Sequence, residues 1–386
     1  MKTQGLALNI QTSNLQPGTC NGKEQRIPRR QITGTVLILS LFALLALVSY
    51  AGAQDLSPLT IGDESHRAHI LPPPSQMSGL ANSPSVPLTF HGGPVMQAPS
   101  TYVIFWIPQS GQLQNGSPTS MSSDYTAVQQ NLSQLYQGEG IDNNNTQYYS
   151  HCVPSSYIYV PGTDFDCNPY LLGTTYYINN TGGQTNGFGG LGMLKGAYTV
   201  TSDYPAAGPA CGSNPNCITD AQIQAEILSV MNLRGWTGGL NAMFLLFTSS
   251  GEGSCIPTSN GPACAYTAYC AYHSYINVGG HAVIYGNLPY GDVNVCQSPG
   301  TPSPNNDPAA DTAATAASHE LAEAIIDPLL NAWHDSNGEE IADKCAYNYG
   351  TNTWDSGQAN QMWYGSFFEL QMEYDNHTGS CVQVGP

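Results

Sequence analysis

NNDPAADTAATAASHELAEAIIDP, residues 305–328, predicts a long helix. Asp307 is a residue type that caps helix N-termini, and Pro308 fits the first helical position. The interior is rich in alanine, the strongest helix former. Pro328 disfavours helical geometry at the residue before it. We therefore expect the helix to lie near 308–327.

Three polar residues of this helix form the pattern H-E-x-x-E. His319 and Glu323 are four positions apart and therefore lie on one face, with Glu320 beside them. Zinc hydrolases use H-E-x-x-H, in which two histidines bind the metal and the glutamate is the general base. Carboxylate oxygens also bind zinc. The pattern predicts a zincin-like helix with His319 and Glu323 as metal ligands, and Glu320 as the catalytic base.

A catalytic zinc site needs a third protein ligand. Asp343 is the first candidate because a disulfide at Cys345 would hold it in place, followed by Asp327 and then Glu340. His273, in the segment CAYHSY, is a further candidate as a catalytic residue or a remote ligand. The carboxylates make the site harder than a histidine site, so calcium or manganese are alternatives to zinc.

The alternative interpretation is an ordinary polar helix face with solvated glutamates and a core histidine. Against it, 13 of the 27 acidic residues fall between Asp307 and Asp375, with one lysine among them. Like charges at this density repel each other, and a bound cation would neutralise them. The sequence contains neither a G-x-S-x-G nucleophile motif nor a phosphate-binding glycine loop.

The other segments alternate between strand and helix patterns. Apolar β-branched and aromatic runs predict strands, and apolar residues at helical spacing predict helices. The predicted elements are strands near 100–108, 155–162 and 239–250, helices near 122–137 and 217–236, an extended segment at 274–290, and a C-terminal hairpin at 369–384. This order predicts an α+β fold, with a mixed sheet, packed helices and stabilising disulfides.

The N-terminal region has the pattern of an export signal. The basic segment KEQRIPRR precedes an apolar run that ends in Ala51-Gly52-Ala53, which predicts a signal peptide over 1–53 with cleavage before Gln54. An uncleaved anchor is the alternative. The Pro- and Ser-rich stretch 54–87 is interpreted as a leader or spacer, with HRAH at 66–69 as a solvated segment. Residues 88–386 are expected to form a single secreted domain.

Cysteine and charge content agree with export. Ten of the eleven cysteines follow the signal region, and their spacing predicts five disulfides. The pairs are Cys152–Cys167, Cys211–Cys217, Cys255–Cys264, Cys270–Cys296 and Cys345–Cys381. After cleavage four basic residues face 26 acidic ones, which argues against nucleic acid and anionic lipid as partners. We expect no stable membrane insertion after cleavage.

Several blocks, in order, resemble the phosphate-induced, exordium-like proteins. The blocks are LTFHGGPVM, TYVIFWIP, CAYH, HELAEAIIDPLLNAW and EIADKC, within about 88–350. The family is secreted and associated with the cell wall in plants, with bacterial relatives. The resemblance implies an extracellular protein linked to growth or the cell surface, and it brings no agreed biochemical activity. The positions that match its blocks are His91, His273, His319, Glu320, Glu323, Asp327 and Asp343.

Two functional hypotheses follow from the sequence. The first is a secreted metal-dependent hydrolase resembling zinc metallopeptidases, acting on a peptide. The second is a non-enzymatic extracellular protein that binds a cell-wall polysaccharide or a protein partner through its tyrosine- and tryptophan-rich surfaces.

Overall fold

The computed structural model describes residues 59–62, 67–77, 86–108, 123–136, 142–151, 175–178, 194–205, 208–211, 217–291 and 294–385. All of them belong to one compact unit, Gln54–Pro386. Three predictions lie outside the described residues: the signal peptide, the strand near 155–162 and the Cys152–Cys167 disulfide. Within the described ranges, no helix combines the length and the apolar character that crossing a membrane requires.

Helices and short strands follow one another along the chain, which confirms the α+β class. The helices are α1 (Pro74–Met77), α2 (Ser123–Leu135), α3 (Asp220–Arg234) and α4 (Pro308–Ile326). The strands are β1 (Thr60–Ile61), β2 (Ala68–Leu71), β3 (Thr89–Phe90), β4 (Ser100–Trp106), β5 (Tyr149–His151), β6 (Thr175–Tyr177), β7 (Leu194–Val200), β8 (Ile218–Thr219), β9 (Ala242–Thr248), β10 (Ser254–Ile256), β11 (Ala263–Cys264), β12 (Ala271–Val278), β13 (His281–Leu288), β14 (Trp333–His334), β15 (Gln361–Trp363), β16 (Ser366–Phe368), β17 (Glu373–Asp375) and β18 (Ser380–Val382).

A mixed sheet of seven described strands is the centre of the fold, in the order β1-β2-β12-β13-β9-β4-β7. The pairs β1–β2, β2–β12 and β12–β13 are antiparallel. The pairs β13–β9, β9–β4 and β4–β7 are parallel. The predicted C-terminal hairpin is also present, as the antiparallel pair β17–β18.

Both faces of the sheet are covered. In β4, Val103 and Phe105 belong to one hydrophobic core, whereas Ile104 and Trp106 belong to another. The first core also contains residues of α2 and α4, and the second contains residues of α3. Because both faces are buried, the parallel strands carry continuous apolar runs instead of an alternation of apolar and polar residues.

Helix α3 has a capping residue at its N-terminus and a glycine at its C-terminus. The Thr219 side chain accepts a hydrogen bond from the backbone of Gln222, whose side chain in turn accepts one from the Thr219 backbone. Gly235 follows the last turn in the left-handed conformation, with φ 68°.

Helix α4 is buried along almost its whole length. The Asp307 side chain accepts a hydrogen bond from the backbone N–H of Ala310, and Pro308 is the first helical residue, both as predicted. Every residue from Ala310 to Ile326 is buried. The H-E-x-x-E residues therefore do not form a solvated polar face, and the alternative interpretation of exposed glutamates is wrong.

The described part of the expected leader, 54–87, differs from a spacer. Strands β1 and β2 lie at the edge of the central sheet, where β2 pairs with β12. In β2, Ala68 and Ile70 pack into one core while Leu71 packs into the other. This strand is short and is followed by prolines, so the sequence pattern alone does not identify it as a strand.

Four of the five predicted disulfides are confirmed. They are Cys211–Cys217, Cys255–Cys264, Cys270–Cys296 and Cys345–Cys381. Several local disulfides are typical of proteins that fold in an oxidising compartment, and they fit a secreted or extracellular protein.

Candidate metal centre

Helix α4 lies against strands β2, β12 and β13 and directs three polar side chains to that side. His319, Glu320 and Glu323 are each at most 1% exposed. Alanines make up much of the helix surface around them, so the helix approaches the sheet closely. The three polar side chains are thus held in the interior of the protein.

The sheet contributes two histidines from neighbouring strands. His69 of β2 and His273 of β12 are cross-strand partners, so their side chains lie on the same face of the sheet. Their ring centroids are 5.7 Å apart, and both rings are buried.

A turn after α4 contributes two carboxylates. Asp343 begins a 3-10 turn that ends at Cys345, and the disulfide from Cys345 to Cys381 ties this turn to the C-terminal hairpin. The Asp343 Oδ2 atom accepts a hydrogen bond from the backbone N–H of Glu340, 2.7 Å away. This local bond holds the Asp343 carboxylate in place, and the predicted disulfide at Cys345 ties down the turn that carries it.

These elements bring together seven side chains that are at most 2% exposed, called here the histidine–carboxylate cluster. Its members are His69, His273, His319, Glu320, Glu323, Glu340 and Asp343.

One half of the cluster is centred on Glu323 and Asp343. His319 Nε2 lies 2.9 Å from Glu323 Oε1 and 3.6 Å from Asp343 Oδ1. His69 Nε2 lies 2.7 Å from Asp343 Oδ2. Donor atoms that share one ion at about 2.1 Å are about 3.0 Å apart in octahedral and about 3.4 Å apart in tetrahedral geometry. The observed separations are of this size.

The other half of the cluster surrounds His273. Its Nδ1 lies 3.2 Å from Glu320 Oε2 and 3.6 Å from Glu323 Oε2, and its Nε2 lies 3.9 Å from Glu340 Oε2. Glu340 also reaches His69, with Oε1 3.4 Å from Nδ1. Two groups of three residues have ligand atoms within 4.8 Å of one another: His69 with Glu323 and Asp343, and His273 with Glu320 and Glu323.

Seven ligand atoms of the cluster are buried and have no hydrogen-bond partner among the described residues. They are Nε2 of His273 and His319, Oε1 of Glu320, both carboxylate oxygens of Glu323, Oε2 of Glu340 and Oδ1 of Asp343. An unsatisfied buried polar group costs about 1–3 kcal/mol, and more when it is charged. His319 Nε2 and Glu323 Oε1 have the separation of an ion pair without the alignment of a hydrogen bond. A shared cation satisfies both atoms.

Without a cation, the cluster holds protons instead. Burial lowers the pKa of His319, but the nearby Glu323 and Asp343 outweigh it and raise this pKa well above its ordinary value. The pKa of His273 is raised to about 9, because Glu320 and Glu323 oppose the effect of burial. Burial also raises the pKa of Glu340 well above its ordinary value, with the neighbouring carboxylates adding to it. A cation must therefore displace protons to bind.

Asp343 and Glu323 are the two carboxyl groups of the cluster whose pKa is lowered, because histidines lie next to them. Burial acts to raise the pKa of Asp343, but His69 and His319 outweigh it and hold this pKa below its ordinary value. The pKa of Glu323 is also lowered: His319 and His69 outweigh burial and the charge of Asp343. Lys344, next in sequence, places its Nζ 3.1 Å from Asp335 Oδ2.

Two side chains outside the cluster orient its histidines. Gln371 Oε1 lies 3.1 Å from His319 Nδ1, and Thr60 Oγ1 lies 3.2 Å from His69 Nδ1. When Nδ1 donates to such an oxygen, the tautomer is fixed and Nε2 keeps its lone pair. Metal-binding histidines are usually held in this way.

The structure places most of the predicted site residues in the cluster. His319, Glu323 and Asp343 come together, and Glu320 and His273 lie beside them. Asp327 differs. Its Oδ1 accepts hydrogen bonds from the backbone N–H groups of Asn331 and Ala332, and it belongs to neither of the two groups of described residues that could hold a metal ion.

The interpretation of HRAH, residues 66–69, as a solvated segment is wrong for His69, whose side chain is buried. Glu340, the third candidate after Asp343 and Asp327, also lies in the cluster. The only signal for His69 was its place in the alternation of Ala68, His69, Ile70 and Leu71. His91, another position that matches the exordium-like blocks, stacks on His334 with ring centroids 3.6 Å apart.

Comparison with known proteins adds no relative from which a role could be transferred. No protein-family model matches this chain, and neither a curated protein nor a solved structure does.

Proposed function

We propose that this protein is a metal-dependent hydrolase of the extracellular space, with its cation bound by His319, Glu323 and Asp343. The observation that supports the proposal is the convergence of these three side chains in a buried site, with ligand atoms that have no hydrogen-bond partner among the described residues. An imidazole together with carboxylates suits zinc or manganese better than calcium, which prefers oxygen ligands alone.

A divalent cation held by such ligands supplies water of lowered pKa and polarises the bond to be broken. In hydrolysis the water oxygen bonds to the carbonyl carbon, the carbon–nitrogen or carbon–oxygen bond breaks, and a proton passes to the leaving group. Glu320 and His273 lie beside the three ligands. Glu320 Oε2 is 3.2 Å from His273 Nδ1, which is 3.6 Å from Glu323 Oε2. They are therefore placed to bind, or to accept a proton from, whatever the cation holds.

The second candidate is a non-enzymatic extracellular protein in which the cation only stabilises the fold. One observation favours it: every member of the histidine–carboxylate cluster is at most 2% exposed. A substrate would need a movement of the surrounding elements to reach the cation. The exordium-like resemblance agrees with this candidate, as does a polysaccharide or protein partner at the surface.

Metal analysis and activity assays separate the candidates. Protein stripped with chelator is reloaded with zinc or manganese, and hydrolysis of fluorescent casein, p-nitrophenyl acetate and bis-p-nitrophenyl phosphate is measured. The hydrolase predicts bound metal, metal-dependent turnover of at least one probe, and loss of both in Asp343→Asn. Glu226→Gln, on helix α3, is the matched control and should change neither. Bound metal without turnover favours the second candidate, and absence of bound metal contradicts the hydrolase.

A further inference from the structure

The carboxylate of Glu323 is the one member common to both metal-holding groups of the described chain. Its Oε1 lies 2.9 Å from His319 Nε2, while its Oε2 lies 3.6 Å from His273 Nδ1. Both oxygens are buried, and neither has a hydrogen-bond partner among the described residues. The two oxygens thus face different histidines, which is how a bridging carboxylate is arranged.

The number of ligands exceeds what one cation uses. A single zinc takes about four ligands, whereas the histidine–carboxylate cluster offers seven side chains. These divide around Glu323 into two sets. His69, His319 and Asp343 lie on one side, and His273 and Glu320 lie on the other. Glu340 lies between the two sets, with Oε1 3.4 Å from His69 Nδ1 and Oε2 3.9 Å from His273 Nε2.

The charge of the cluster also indicates two cations, one for each set of ligands. The four carboxylates of the cluster carry four negative charges when ionised, and histidine ligands are neutral. Two divalent cations neutralise this charge, whereas one would leave two negative charges in the protein interior. Uncompensated buried charges cost several kcal/mol each.

We propose that the cluster binds two divalent cations, bridged by Glu323. The first is held by His69, His319 and Asp343, and the second by His273 and Glu320, in both cases together with Glu323. Hydrolytic sites of this kind hold their cations about 3.5–4 Å apart. The inference rests on the proposed metal-dependent function, and it makes Glu320 a ligand instead of the base that the sequence predicts.

The test counts ions in the full-length secreted protein. Chelator-stripped protein is titrated with Mn²⁺ alone, and bound metal is measured by elemental analysis and calorimetry. Two ions per chain are expected. Electron paramagnetic resonance of the loaded protein should show magnetic coupling between the two Mn²⁺ ions. One ion per chain, or two uncoupled ions, would overturn the proposal even if the protein hydrolyses a probe.

A variant that removes a ligand of the second cation tests which residues bind which ion. His273→Ala should bind one Mn²⁺ with the coupling lost, because its ligand set is broken while the other remains. The control is His281→Ala, an exposed histidine on the adjacent strand β13. It should bind two coupled ions. Retention of two coupled ions by His273→Ala contradicts the assignment. Two coupled ions without turnover of any probe would instead remove the hydrolase proposal and leave the dinuclear centre.

Discussion

His69 and His273 lie directly opposite each other on neighbouring antiparallel strands, although 204 positions separate them in the sequence. This pairing makes the N-terminal hairpin part of the histidine–carboxylate cluster. Strand β2, within a segment that was expected to be a spacer, places a candidate ligand beside α4.

His69→Ala should weaken the binding of the first cation at least tenfold, because one of its nitrogen ligands is lost. The protein should still fold, since the cores on both faces of the sheet keep their apolar residues. Calorimetric titration with Zn²⁺, supported by circular dichroism, measures both effects. An affinity equal to that of His281→Ala would show that His69 is only a structural neighbour.

Glu320→Gln decides which role this residue has. As a ligand of the second cation, it should reduce the bound metal from two ions to one. As the general base predicted from the H-E-x-x-E pattern, it should keep all the metal and lose only turnover. Elemental analysis of the loaded variant next to Glu226→Gln separates the two. Unchanged metal content would restore the base assignment.

Gln371 is expected to act as a positioning residue through His319. Gln371→Leu removes the oxygen 3.1 Å from His319 Nδ1 and should weaken metal binding about 10–100-fold. Gln371→Glu retains an acceptor oxygen and should restore most of the affinity. Equal affinities of the two variants would argue that Gln371 serves only to fill space.

The pKa of Glu369 gives a pH dependence that is separate from the metal ligands. Burial, together with a smaller effect of Asp311, raises this pKa to about 7. A carboxyl with a raised folded-state pKa stabilises the fold below its ordinary pKa, and this contribution is lost as pH rises to about 7. The full shift corresponds to about 3 kcal/mol, which solvent screening reduces to about 1–2 kcal/mol.

Glu369→Gln removes this titration, so its stability relative to wild type should increase between pH 4.5 and pH 8. Because the two proteins are compared at each pH, the titration of the cluster cancels. Thermal unfolding midpoints at the two pH values measure the difference. Parallel pH profiles would contradict the prediction.

The fifth disulfide, Cys152–Cys167, stays a prediction because both residues lie outside the described ranges. We expect the secreted protein to contain five disulfides and no free thiol among its ten cysteines. Alkylation without reduction, followed by peptide mass mapping, measures this. Alkylated Cys152 together with alkylated Cys167 would be the opposing result.

Local signals in the sequence predict the helices well. Thr219 and Gly235 bound α3, and Asp307 and Pro308 start α4, because capping depends on residues within one turn. Cysteine spacing predicts four disulfides because short loops close easily. These features depend only on neighbours in the chain.

The site was predictable only where its residues share a helix or a neighbouring disulfide. His319, Glu320 and Glu323 follow from helical spacing, and Asp343 follows from its closeness to Cys345. His69 depends on a strand pairing across the fold, which no local pattern reports. The sequence therefore named six members of the cluster as candidates, whereas His69 and the division of the cluster around Glu323 emerged only from the sheet.

The ligands are spread over the chain from His69 to Asp343, and the second of these lies in a turn tied to Cys381. During synthesis, the first histidine is made long before the last carboxylate. A partly made chain therefore lacks a complete first set of proposed ligands until Asp343 has been made, and the disulfide that ties its turn can form only after Cys381 has been made. Under the proposal, the cations enter late in folding. The metal supply that matters is that of the place where folding finishes, and it need not be that of the place where translation begins.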